Sequence, residues 1–366
     1  MPDLQPRAIA WARTMTGHAG DAVVRAHAEP GVRLAGVRPV MREQREAWEA
    51  EHLTPGATHA AGAGERARDE QPDPERTCFE RDRDRIVHST AFRRLAGKTQ
   101  VVVYPSDHQR TRLTHALEVA QVATSIARGI GANVTLAEAI ALGHDCGHGP
   151  GGHASEDAFD AFLSGGYDHG PWGADVVLTS LNLCRQTLDG IRNHSWSRPT
   201  PGTLEGEIVS WADRIAYCAH DLEDAIGAGI VATADLPSAA TEIVGTTRRR
   251  QLSRFIREVI ATTAATGQVG MRPEMAGALA ALRAFNYERI YTRPESVAQS
   301  EAVIAVLRAL VSFYLDHPDR LPERPDDPER LSHAAVAYVG GMTDRFAFDT
   351  AVQRLGWDPA RLPRPQ

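Results

Sequence analysis

From Phe79 onward the apolar residues return at helical spacing. In FERDRDRIVHSTAFRRL, Ile86, Val87, Ala91, Phe92 and Leu95 lie every three to four residues beneath a charged face, which predicts an amphipathic helix. TRLTHALEVAQVATSIARGIG follows with Leu113, Ala116, Leu117, Ala120, Ala123, Ile126 and Ala127 as its stripe and Gly129 and Gly131 as stops, so His115 falls in the first turns. In TLAEAIALGHDCGHG, Thr135 and Glu138 have capping-box spacing, Leu136, Ala139, Ile140 and Leu142 are the apolar positions, and Gly147 and Gly149 break the helix. His144 and Asp145 therefore sit at that helix's C-terminal end. A further helix is expected from about Leu204 to Ile226, burying Ile208, Val209, Ala212, Ile215, Ala216 and Ala219. LAALRAFNYERIY, VAQSEAVIAVLRALVSFYL and LSHAAVAYVGGM are helical again, with HPDRLPERPDDP as a connection. The expected class is all-α, a helical core with additional C-terminal helices and one short β-hairpin around Thr99 to Pro105, where VVVY favours strand.

The first fifty residues are weakly patterned, and Thr54 to Pro74 is rich enough in Gly, Ala, Glu, Arg and Pro to be expected as a mobile loop. The organisation expected is an N-terminal extension over 1–78 with its loop at about 54–74, a core over 79–230, and a helical region over 231–366 packed on that core. Composition changes the picture little: 42% hydrophobic and 24% charged residues describe an ordinary globular chain. Charge changes it more. With 40 Lys plus Arg against 47 Asp plus Glu, a net charge of -7 argues against a dedicated nucleic-acid or anionic-membrane binder, and leaves a small anion as the partner. Cys78, Cys146, Cys184 and Cys218 form no CxxC pair, as expected of reduced cytosolic thiols. Neither a secretory leader nor an apolar run of membrane-spanning length is read in the chain, so a cytoplasmic protein without membrane association is expected.

Chemistry concentrates between residues 110 and 225. His115, His144, Asp145, His148, His153, Glu156, His169, Asp213, His220, Asp221 and Asp224 all lie on or beside apolar stripes, where isolated charges are costly unless paired or bound to metal. A lone histidine such as His115 is by itself an ordinary residue, and an HD dipeptide is common. The combination is what carries weight: RLTH, then GHDCGHGPGGHASE, then a helix on which Asp213, Tyr217, Asp221 and Asp224 share one face. His220 lies off that face and is expected to make a structural hydrogen bond. Two imidazoles and two carboxylates suit Mn, Mg, Fe, Ni or Zn, and a divalent ion with open coordination positions activates water and neutralises phosphoryl charge. Hydrolysis of a phosphate ester or anhydride is the natural reaction.

The order His115, His144, Asp145, Asp213 resembles the HD-domain phosphohydrolases. FERDRDRIVHSTAFRRLAGKTQV, DHQRTRLTHALEVAQVATSIA, AIALGHDCGHGPGGHASEDAF and WADRIAYCAHDLEDAI narrow the resemblance to the dGTPase-like deoxynucleoside triphosphate triphosphohydrolases, from about Arg42 to the C-terminus. The resemblance implies an HD phosphohydrolase core over 79–230 and a divalent metal on those four residues. His153 and Glu156 would handle water activation and proton transfer. Arg112, Arg214 and His169 would meet the phosphates, Tyr217 and Asp221 the sugar, and Gln100 the base and sugar, with His148 also binding substrate. Family members release deoxynucleoside and tripolyphosphate. They assemble as homo-oligomers, which leaves room for a regulatory nucleotide or single-stranded DNA. Cys146, Gly151 and Gly170 stand where the family commonly has leucine, phenylalanine and a polar residue, from which a looser loop over the site is expected.

Two other readings remain. One is a different HD hydrolase, acting as a nucleotidase or on an alarmone or a cyclic nucleotide. The other is a non-catalytic regulatory or nucleic-acid-binding HD protein, which the net charge disfavours.

Overall fold

The computed structural model describes residues 5–20, 22–29, 31, 33–101 and 109–363. It divides into two compact units, Met1–Val40 and Met41–Gln366. In the first, α1 (Pro6–Arg13) buries none of its residues. After it come two-residue strands β1 (His18–Ala19) and β2 (Val24–Arg25), paired antiparallel with His18 opposite Arg25. The weak patterning of this stretch gave no sign of that ladder. At Thr99, where a hairpin is expected, there is a single antiparallel bridge to Thr111; Val102 to Pro105 of the expected hairpin lie outside the described residues.

The second unit is helical. Its first half holds α2 (Arg42–His52), α3 (Cys78–His88), α4 (Thr90–Arg94), α5 (Arg112–Ile130), α6 (Val134–Gly143), α7 (His153–Phe159), α8 (His169–Trp172), α9 (Arg185–Asn193) and α10 (Leu204–Gly227). The second half holds α11 (Ser238–Val244), α12 (Arg248–Thr266), α13 (Pro273–Asn286), α14 (Pro294–Asp316), α15 (Pro328–Gly340) and α16 (Asp344–Leu355). The centre is α6. Leu136, Ala137, Ala139, Ile140, Ala141, Leu142 and Gly143 are all buried, as expected of a helix apolar on every side, and α3, α5, α9 and α10 pack around it. Its cap is Asn133, whose side chain accepts from Leu136 N, rather than the expected Thr135. Small residues on α5, Ala116, Ala120, Ala123 and Ala127, let α6 approach closely, while Leu117 of the expected stripe is exposed and Val119 and Val122 are buried instead. Gly131 ends α5 in the left-handed conformation at φ 72°.

The segment expected as a mobile loop is fastened to this core. Glu205 accepts from Thr58 N, Thr58 Oγ1 and Asn133 N, and Arg66 forms a buried ion pair with Asp82. Burying these polar groups in pairs removes the cost that would otherwise expel the loop. A second apolar cluster joins α7, α14, α15 and α16 through Phe159, Val303, Leu307, Val336 and Phe348. Helix α14 is long and apolar enough to cross a membrane by length and composition alone, although no apolar run of that length is expected from the sequence. Its Val303, Val306, Leu307, Leu310 and Val311 are buried in the second cluster.

Candidate metal centre and the cavity around it

The two clusters leave between them a cavity of about 450 Å³, within the range that takes a nucleotide-sized ligand. Four elements deliver its polar floor. The first turn of α5 supplies Arg112 and His115, the turn after α6 supplies Asp145 with His144 behind it, α10 supplies Asp213, and the residue after α9 supplies His194.

His115 Nε2 lies 3.0 Å from Asp213 Oδ1 and 3.8 Å from Asp145 Oδ2. His144 Nε2 lies 3.4 Å from Asp145 Oδ1 and 3.7 Å from Asp213 Oδ1. The His144 ring decides what this cluster is for. Its Nδ1 is 2.6 Å from the carbonyl oxygen of Ala141, which only accepts, so Nδ1 carries the proton and Nε2 presents a lone pair to two carboxylate oxygens. That nitrogen is buried without a hydrogen-bond partner among the described residues. Lone pairs converging in this way repel unless a cation lies among them, and a mixed N and O set suits a divalent ion. His115, His144, Asp145 and Asp213 therefore fit a metal.

Asp145 is held ionised. Burial disfavours its charge, but the Arg112 guanidinium, 2.7 Å away, and the neighbouring His144 and His148 keep it well below the usual carboxylate range. Arg112 uses Nη1 for this contact and keeps Nε and Nη2 buried and unpaired among the described residues. It is not the helix cap that its position allows; it is a buried cation with donors to spare.

A second group adjoins the first. His153 Nδ1 and His169 Nδ1 each lie 2.9 Å from Glu156 Oε1, and His148 Nδ1 lies 3.5 Å from it. Burial opposes ionisation of Glu156, yet these imidazoles push its carboxyl far below the ordinary value. His153 is the solvent-facing member of the set, with its side chain 75% exposed, whereas His148 is buried and stacks on His169 at 3.8 Å between ring centroids.

Gln100, Arg214, Tyr217 and Asp221 line the same cavity. Asp221 already has partners: Arg110 on Oδ1 and the Tyr291 hydroxyl, 2.6 Å away, on Oδ2. Tyr217 accepts from Arg283 Nε at 2.9 Å. His220 points its Nδ1 at the Ala216 carbonyl, 2.7 Å away, which is a structural contact. The loop expected to be loose is tight. Gly151 has φ 73° with Val303 filling the space where a side chain would go, and Gly152 has φ 65° against Arg112. Helix α14 takes the room that a bulkier residue would occupy.

Sequence reasoning missed His194, Arg110, Tyr291, Trp196 and Asp344. His194 carries a weak signal, a histidine ending the amphipathic LDGIRNH. Asp344 carries none: it accepts from Thr99 N and Gly151 N across 245 and 193 residues of chain.

The HD domain family matches residues 112–218, and the phosphohydrolase-associated domain family matches residues 269–353. A "deoxyguanosinetriphosphate triphosphohydrolase-like protein" of Caldanaerobacter subterraneus subsp. tengcongensis is 40% identical over 317 residues, covering 84% of this chain and 93% of the relative. Proteins of the same description from Desulfatibacillum aliphaticivorans and Clostridium perfringens are 39% and 36% identical, over 86% and 84% of this chain and 97% and 95% of theirs.

Proposed function

Since the chain belongs to the deoxyguanosinetriphosphate triphosphohydrolase-like family of HD-domain hydrolases, we propose that it hydrolyses deoxynucleoside triphosphates to deoxynucleoside and inorganic tripolyphosphate. The single observation that carries the substrate class is Arg112: Nη1 is committed to Asp145, while Nε and Nη2, buried and unpaired, stand beside the cavity as donors for an anion. His115, His144, Asp145 and Asp213 would hold a divalent cation, whose chemistry is to activate water and offset phosphoryl charge.

In this reading water adds to the α-phosphorus and the bond from that phosphorus to the 5′ oxygen breaks. The proton that the departing 5′ oxygen needs comes from His153, held at Nδ1 by Glu156. Arg112 and Arg214 bind the phosphates, with His148 and His169 alongside. Tyr217 lies under the sugar, where a 2′-hydroxyl would be crowded, and Asp221 and Gln100 complete the nucleoside end. We place the catalytic core at 79–230, with 231–366 supplying the far wall through α13 and α14. A cytoplasmic homo-oligomer open to a regulatory nucleotide or single-stranded DNA is the setting proposed for it.

The test is incubation with Mn²⁺ or Mg²⁺ and each of the four dNTPs and GTP, with products separated by ion exchange. Deoxynucleoside plus tripolyphosphate is the expected outcome. Monophosphate plus pyrophosphate, or no turnover of any dNTP, would replace this reading with another HD hydrolase.

A further inference from the structure

Asp344, the first residue of α16, is 3% exposed and has both carboxylate oxygens in use. Oδ2 accepts from Thr99 N at 2.9 Å and from the Thr99 hydroxyl, and Oδ1 accepts from Gly151 N at 2.9 Å. One side chain of the C-terminal region therefore holds two distant segments of the core. Lys98 reinforces the tie from beside it, because its ammonium donates to His148 O and to the carbonyl of Gly340, the last residue of α15. The turn between α15 and α16 thus grips the same two segments twice, through a cation on the core side and an anion of its own.

Both segments carry cavity residues. Gln100 directly follows Thr99, and His153 lies just beyond Gly151. A third segment is bound to the first: Arg112 N donates to Lys98 O at 3.2 Å, and Thr111 forms the antiparallel bridge with Thr99. Gly152 fills the angle between all three, so closely that a Cβ there would stand 2.6 Å from Arg112 Nη2 and 3.0 Å from Thr99 O. A shift of the Gly151 loop away from Thr99 would move the wall against which the Arg112 guanidinium rests. Asp344 stands behind that wall and does not itself line the cavity.

We propose that Asp344 is a positioning residue for the reaction: it fixes Gln100, Arg112 and His153 relative to one another, which makes the C-terminal helices part of the catalytic apparatus. A buried carboxylate that meets two N–H groups and a hydroxyl suits this task, since hydrogen bonds to an ionised acceptor are short and about twice as strong as neutral ones. The effect on rate comes through geometry, and a misplacement of about 1 Å that starts far from the reacting atoms costs about 10²-fold. The inference rests on the phosphate and proton-transfer roles proposed above for Arg112 and His153.

The test is Asp344→Asn, whose amide has one accepting oxygen for donors on two segments and so holds Thr99 or Gly151 and not both. The variant is expected to keep the wild-type metal content, to bind inorganic tripolyphosphate roughly 10-fold more weakly by calorimetry, and to lose about 10²-fold in kcat. Phe348→Leu, also buried on α16, is the control for stability: it lowers the unfolding temperature and leaves affinity and rate unchanged. Thr99→Val removes only the hydroxyl's bond; it gives the same changes on a smaller scale and takes over as the test where Asp344→Asn does not fold. Wild-type affinity and rate in the folded test variant overturn the proposal. So does a Phe348→Leu protein that loses them equally at matched stability. Tripolyphosphate binding without dNTP turnover sinks only the proposed substrate and leaves Asp344 judged by affinity; a wild type that binds no tripolyphosphate overturns both.

Discussion

The Arg214 guanidinium carbon lies 3.3 Å from the centroid of the Trp196 ring. Trp196 is fixed in turn: its Nε1 donates to Ser210 O, one turn before Arg214 on α10, and its ring meets Trp211 edge-on. The stack holds the guanidinium plane and leaves its N–H edges for the cavity. A cation–π contact of this kind contributes about 0.5–2 kcal/mol, so Trp196→Ala is expected to raise KM for all four dNTPs by roughly 2–30-fold. Inhibition by tripolyphosphate should weaken by the same factor. A loss confined to one nucleobase would show that Trp196 meets the base instead.

Asp213→Ala is expected to abolish both metal binding and activity, because it removes a carboxylate that faces His115 and His144 together. Full metal content with full rate would refute the assignment. His153→Ala removes none of His115, His144, Asp145 and Asp213; it should retain metal and nucleotide and slow turnover by about 10²–10⁴-fold, the usual effect of lost acid/base catalysis. An unchanged single-turnover rate would rule out the role given to His153.

Gly152→Ala is expected to destabilise the fold by about 1–3 kcal/mol, since φ 65° strains any other residue and the new Cβ would stand 2.6 Å from Arg112 Nη2. Thermal unfolding reads the first effect. A raised KM reads the second, through a displaced Arg112.

Lys98 gives a pH signature. Its ammonium is buried and donates to His148 O and Gly340 O, and burial pushes its pKa down to about 8. The unfolded chain titrates it near 10.4. Between those values the unfolded state holds the proton and the folded state has released it, so stability rises with pH across this window and is lowest below it. Relative to Lys98→Met, the wild type should gain about 3 kcal/mol in chemical denaturation between pH 8 and pH 10.5. A constant difference would show that Lys98 stays charged in the fold.

The grouping of His115, His144, Asp145 and Asp213 is expected from the resemblance of their order to the HD hydrolases; helical period and breakers add only that each falls at the buried end or face of a strongly patterned helix. Leu117 shows the limit of that reasoning: a stripe counted at three and four residues does not say which edge turns to solvent, and Val119 and Val122 take the buried places. The cap at Asn133 rather than Thr135 follows from a tertiary tie, since Asn133 also binds Glu49 and Thr58. His194 meets His169 because α9 returns to the cluster, and no local pattern encodes that return.

Asp344 ties α16 to both the Gly151 loop and Thr99, and it is made 193 residues after Gly151. At a synthesis rate of 5–20 residues per second, roughly 10–40 s separate the two. During that interval α5, α6 and α10 can already pack about their own apolar cluster, but the loop carrying Gly151 lacks the carboxylate that anchors it. A growing chain therefore passes through a stage with its first core formed and the loop beside the cavity still without its Asp344 anchor, which arrives with α16.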